Sequence, residues 1–230
     1  MEYRIIGENL PAVIFKLRQG ESVITEAGGM CWMSEGIEMD TNMKGGFFKG
    51  LGRAISGESV FISKYTCSMD GAEIAFASSF PGKIMPIVLE PGQSIICQKG
   101  AFLCGESSVE VSVHLVKKLG AGLFGGEGFV LQKITGPGTV FLEVDGSAVE
   151  YTLSSGEVLK VDTGHIVAFE PTVEYDVITV KGFKNLFFGG EGLFLSKLTG
   201  PGKVMLQTLP ISNLVRNISP YIANLLKDKC

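Results

Sequence analysis

The sequence contains no apolar run that reaches the roughly 18 residues a membrane-spanning helix needs, and no run of basic residues. The second absence removes the electrostatic footprint that a duplex-binding surface leaves, so nucleic acid is disfavoured as a partner. Charge is sparse, at 19 % of residues with acids and bases interleaved and a net charge of −4, while 45 % of residues are hydrophobic. That balance excludes a disordered chain and predicts a well-packed one. Histidine is nearly missing: His114 and His165 are the only two, and neither stands at a metal-ligand spacing from a cysteine or an acid. There is no Gly-x-Ser-x-Gly elbow, and Cys97 and Cys104 lie seven apart with no second pair. A Cys–His nucleophile pair is open in principle, since sequence distance does not forbid it, but satisfied histidines are the simpler reading. The expectation is therefore no catalytic site, no metal site and no cofactor.

Cysteine is also short of a disulfide framework. The five residues, Cys31, Cys67, Cys97, Cys104 and Cys230, are odd in number and irregularly spaced, which fits a reducing compartment. The opening stretch "MEYRIIGENLPAVIFKL" lacks the basic region, apolar block and cleavage site of a signal peptide and reads as a first strand. These features predict a cytoplasmic protein.

What the sequence does have is repetition. "GLFGGEGFVLQKITGPG" from Gly122 is echoed by "LFFGGEGLFLSKLTGPG" from Leu186, and a degenerate copy surrounds Gly57. After Gly57, Gly126 and Gly190 comes a glutamate at once (Glu58, Glu127, Glu191). A lysine follows seven positions after the glycine (Lys64, Lys133, Lys197) and a threonine nine after (Thr66, Thr135, Thr199). Upstream, leucine precedes a turn glycine by three in Leu17/Gly20, Leu89/Gly92 and Leu153/Gly156, with a second glycine eight after the first at Gly28, Gly100 and Gly164. Three agreeing registers predict a triplicated domain over residues 1–210, with units near 10–82, 83–148 and 149–210.

Each unit is built of short β-branched runs such as "AVIFKL", "AVEYTL" and "EYDVITV", punctuated by Pro-Gly, Ser-Gly and Gly-Pro-Gly turns among 31 glycines and 9 prolines. The fold class is all-β. Apolar residues on both faces of several strands call for sheets covered on both sides. Three pseudo-repeats most economically surround a pseudo-threefold axis, as in a β-prism or a double-stranded β-helix. The tail, residues 211–230, changes period. Leu214, Ile218, Ile222 and Leu225 or Leu226 fall at helical spacing, with Ser219-Pro220 as a helix start, so an amphipathic helix should dock on the body or on a neighbouring subunit. A membrane-surface helix is the alternative.

The glycine loops do not read as phosphate cradles. Gly-Gly-Glu-Gly runs into an alternating strand, with neither a helix N-terminus nor a Walker lysine after it, so its glycines serve a bend. The tripled Glu and Lys stand six apart on one strand face, about 20 Å at roughly 3.3 Å per residue. They cannot pair within a strand. Glu58, Glu127 and Glu191 could instead pair with Lys64, Lys133 and Lys197 between repeats, or simply mark the polar ends of a buried stripe. Phe47, Phe48, Leu123, Phe124, Phe187 and Phe188 put apolar side chains beside those glycines, either as caps on the core or as an exposed interaction patch.

On these repeated phrases, and over residues 1–210, the sequence resembles the altered-inheritance-of-mitochondria (mitochondrial biogenesis) family, whose bacterial members have no known function. The resemblance implies a fold like the tryptophan RNA-binding attenuation protein and symmetric oligomers, and implies no enzymatic activity. The attenuation protein's ligand-binding residues find no matching positions here, so neither tryptophan nor RNA binding is carried over. Mitochondrial relatives are linked to inner-membrane organisation, a role that a chain without a transit peptide does not simply inherit. The expectation is a non-catalytic, homo-oligomeric β scaffold, a trimer being favoured. A membrane-surface adaptor acting through the Phe-Gly loops is the alternative, and an RNA-binding ring comes third.

Overall fold

The computed structural model describes residues 1–26, 28–40, 62–117, 129–179, 194–211, 213–215, 218, 219, 221 and 222. The chain is nearly all antiparallel β. A first strand, β1 (Glu2–Ile6), precedes three successive sets of six. The first set is β2 (Ala12–Leu17), β3 (Ser22–Glu26), β4 (Met30–Met33), β5 (Ile37–Asp40), β6 (Ile62–Cys67) and β7 (Ala72–Ala77). The second is β8 (Gly82–Leu89), β9 (Ser94–Gln98), β10 (Phe102–Glu106), β11 (Glu110–Lys117), β12 (Phe129–Thr135) and β13 (Gly138–Asp145). The third is β14 (Ala148–Leu153), β15 (Val158–Asp162), β16 (Ile166–Phe169), β17 (Glu174–Thr179), β18 (Phe194–Thr199) and β19 (Gly202–Gln207). The turn glycines Gly20, Gly92 and Gly156 open the second strand of each set at φ of 85°, 81° and 77°, a conformation that glycine adopts without penalty.

Sheets do not follow the sets. Two six-stranded sheets, ordered β5-β6-β3-β10-β13-β8 and β11-β12-β9-β16-β19-β14, each join three strands of one set to three of the next. The remaining halves stand alone as β1-β2-β7-β4 and β15-β18-β17. The joins repeat their register: Gly105 of β10 faces Ile24 of β3, and Phe169 of β16 faces Ile96 of β9. Counted from the second glycine of each frame, Gly105 and Phe169 hold the same position; counted from the turn glycine, so do Ile24 and Ile96. A bulge recurs as well, leaving Cys31, Leu103 and Val167 unpaired in β4, β10 and β16. β4 and β15 do not pair with each other, so the three sets are not closed into a ring by strand pairing.

Three hydrophobic cores lie between successive sheets. Alternation along β13 shows how one strand serves two of them: Phe141 enters the first, while Val140, Leu142 and Val144 enter the second. In the first core Phe15 meets Phe141 edge-on at 5.1 Å and Phe76 at 5.9 Å between ring centroids. Each such ring, fully buried, stabilises the fold by roughly 1.5–3 kcal/mol. This two-sided burial is why the strands read as continuous apolar runs.

The tripled threonine has a local reason. Thr66 faces Ser22 and Thr135 faces Ser94 across the sheet, with hydroxyl oxygens 3.0 and 3.1 Å apart. In the third set Val158 stands opposite Thr199 and supplies no hydroxyl. Beyond Pro210, the Leu214 amide donates to the Pro210 carbonyl and Ser219 Oγ donates to the Val215 carbonyl.

Candidate interaction surface

The two sheet edges left over by the strand order have an unusual composition. In the second and third sets the bulge residue and its successor, Leu103-Cys104 and Val167-Ala168, are buried. Their counterparts Cys31 and Trp32 are exposed, as is Met33; Trp32 is 46 % and Met33 41 % accessible. β15 likewise shows Val158 and Lys160 to solvent, whereas Ile24 and Ile96, the counterparts of Lys160, are buried. The apolar β4 reads as an interior strand, and the strand order leaves both β4 and β15 at the rim.

The cores tell the same story. The first receives Leu103, Cys104 and Phe141 from the following set, and the second receives Val167 and Ala168. The third has no following set. Leu159, Tyr175 and Val177 at its end are only partly buried, although Tyr175 stacks at 5.9 Å on both Phe129 and Phe169.

The loop and ion-pair residues singled out from sequence fall in two groups. Phe47, Phe48, Leu123, Phe124, Phe187, Phe188, Glu58, Glu127 and Glu191 lie outside the described residues. Their segments nevertheless connect equivalent strand pairs: β5 to β6, β11 to β12 and β17 to β18. The lysines are described. Lys64 sits opposite Asp40, Lys133 opposite Ser112, and Lys197 between Lys160 and Asp176.

Cys97 and Cys104 are buried away from solvent. Burial raises the thiol pKa of Cys97 and Cys104, and the Glu26 carboxylate pushes Cys97 further in the same direction. His114 lies in a β11 bulge, where desolvation and then Lys133 lower its pKa. His165 is structural: Nδ1 donates to the Gln207 carbonyl at 2.7 Å, which leaves Nε2 to accept from Asn213 Nδ2 at 3.3 Å. Among the described residues no three His, Cys, Asp or Glu side chains gather as metal ligands. One polar cluster escaped sequence reasoning: buried Gln132, whose Nε2 donates to Glu26 Oε1 from the neighbouring set while its Oε1 has no partner among the described residues. Nothing in a strand's alternation marks such a contact in advance.

The strand architecture defines a nearly all-β protein whose sheets join one set of strands to the next. The chain belongs to the family described as mitochondrial biogenesis AIM24, whose model matches residues 3–209. It is similar to an uncharacterised protein of Streptococcus pyogenes serotype M6, at 30 % identity over 220 residues covering 92 % of this chain and 87 % of that one. It is also similar to the protein SPYM3_0169 from Streptococcus pyogenes, seen in a crystal structure. There the TM-score is 0.76 at 26 % identity, covering 96 % of this chain and 99 % of the other. No described helix is long and apolar enough to cross a membrane.

Proposed function

We propose that the protein is a non-catalytic, homo-oligomeric β scaffold that works by presenting a surface, with a trimer as the favoured assembly. The observation that carries this reading is the pair of sheet edges β4 and β15, whose exposed Cys31, Trp32, Met33 and Lys160 occupy positions that are buried in the other two sets. Unpaired edges are templates for another chain, and symmetric association covers them. The raised thiol pKa values and the structural bonding of His165 support the non-catalytic part. Sedimentation tests it: a species of 24.6 kDa alone at micromolar concentration refutes the scaffold.

A second reading is a membrane-surface adaptor acting through the Phe-Gly loops, which lie outside the described residues, and the tail adds a further apolar surface to it. Ile211, Val215, Ile218 and Ile222 follow one another by four, three and four residues, and all are exposed, as is Tyr221. On a helix they form one apolar stripe, which suits docking either on a neighbour or on a lipid interface. Flotation with anionic liposomes separates the two. Recovery in the floating fraction that is lost on Ile218→Ser and Ile222→Ser favours the adaptor, and sedimentation away from lipid favours the scaffold. A salt-dependent RNA shift tests the RNA ring, the third reading.

A further inference from the structure

The scaffold reading says that copies associate; the strand registers say through which residues. We propose that the β15 edge of one copy pairs antiparallel with the β4 edge of a second copy, reproducing between chains the junction that β3/β10 and β9/β16 make within one.

Both internal junctions place the residue four after the turn glycine (Ile24, Ile96) opposite the residue five after the second glycine (Gly105, Phe169). Carried to the third set, that rule places Lys160 opposite Met33, Val161 opposite Trp32 and Leu159 opposite Ser34. The same step brings Cys31 and Trp32 to the open end of the third core, where Leu103-Cys104 and Val167-Ala168 stand in the first two. The occupant is a second copy because the two halves of the junction are both on this chain and do not meet each other within it.

The terminal junction differs from the internal ones in one instructive respect. Ile24 and Ile96 are replaced by Lys160, which stands beside Lys197 on β18. A lysine on an edge strand discourages pairing with arbitrary apolar edges. In the register above, exposed Glu35 lies two residues beyond Met33, in the turn that follows β4, within reach of the long Lys160 side chain. The pair therefore selects one partner edge among many. It also makes the inter-chain junction more polar than its internal counterparts, so it forms reversibly and weakens with salt.

The test uses the full chain, in which Trp32 is the only tryptophan and lies inside the proposed junction. Mass by sedimentation and Trp32 emission are followed together across a dilution series for the wild type, Lys160→Glu, Glu35→Lys and the double variant. The wild type should show assemblies above 24.6 kDa whose dissociation shifts the emission to the red. Each single variant should weaken association by about tenfold or more, and the double variant should recover most of it, which also shows that the singles fold. Assembly that persists in both single variants, with emission independent of mass, overturns this junction and leaves the scaffold reading standing. A single-chain mass at every concentration overturns both, and blue-shifted emission at that mass means the chain closes on itself instead.

Discussion

Leu103 and Cys104 on β10, and Cys31 and Trp32 on β4, occupy the same two places in the repeated frame, yet the first pair is buried and the second exposed. The difference does not come from local sequence, since both strands carry apolar residues, the same bulge and the same pairing to the last strand of their own set. It comes from neighbours. β10 has β3 of the preceding set on its other edge, and β4 has no strand there among the described residues. Burial in this fold is thus a property of junctions between sets, and a set at the end of the row keeps an interior surface facing outward.

The strongest way to break the comparison is to damage a junction that is already made. Phe141 is fully buried and passes from the second set into the first core, so Phe141→Ala should cost about 3–5 kcal/mol, read as a drop in the urea midpoint. A smaller loss is expected where the turn itself is crowded. Gly202 has φ of 144°, and an added Cβ would lie 2.7 Å from Thr172 Oγ1 and from Val173 Cγ2. Gly202→Ala should destabilise by roughly 1–3 kcal/mol, whereas Ala72, at the matching place in the first set, tolerates a Cβ because its turn is built differently. If both glycine and alanine melt alike at 202, the turn geometry is not what the repeat preserves.

Acid-base behaviour sharpens the comparison at the second-to-third boundary. Desolvation, and then the charge of Glu143, raise the Asp145 pKa to about 6 from an ordinary value near 3.8. Between those values the folded protein holds a proton that the unfolded chain has released, so stability should decline as pH rises from about 4 to 6. Asp145→Asn should flatten that slope in melting temperatures recorded across the window. The smallest effect belongs to the free end. In the dissociated chain Trp32→Ala should cost about 1 kcal/mol, well short of a fully buried aromatic, because the indole is 46 % accessible, and a loss as large as that of Phe141→Ala would show that β4 is already covered.

Much of the first level of structure was legible in the residues. Gly20, Gly92 and Gly156 announced their turns because only a residue without Cβ fits them cheaply, and strand runs were visible because both faces are apolar. The tripled lysines and threonines marked equivalent strands, though not their partners: Thr66 meets Ser22 across a sheet, 44 residues away. Two things were hidden. Sets read from sequence suggest self-contained units, whereas hydrogen bonding joins β3 to β10 and β9 to β16 across their boundaries. Lys160 on β15 marks one open edge in the sequence, but β4 carries the same bulge and apolar pattern as β10, so Trp32 gave no sign of exposure.

The placement of Val140 and Phe141 on opposite faces of β13 has a consequence for how the molecule comes apart. In a row of domains joined only by linkers, each would melt on its own. Here the loss of one core strips one face from a sheet whose other face belongs to the next, so partial opening is penalised at every boundary. Unfolding should therefore run as a single event, with the calorimetric enthalpy matching the van't Hoff value for all three sets at once.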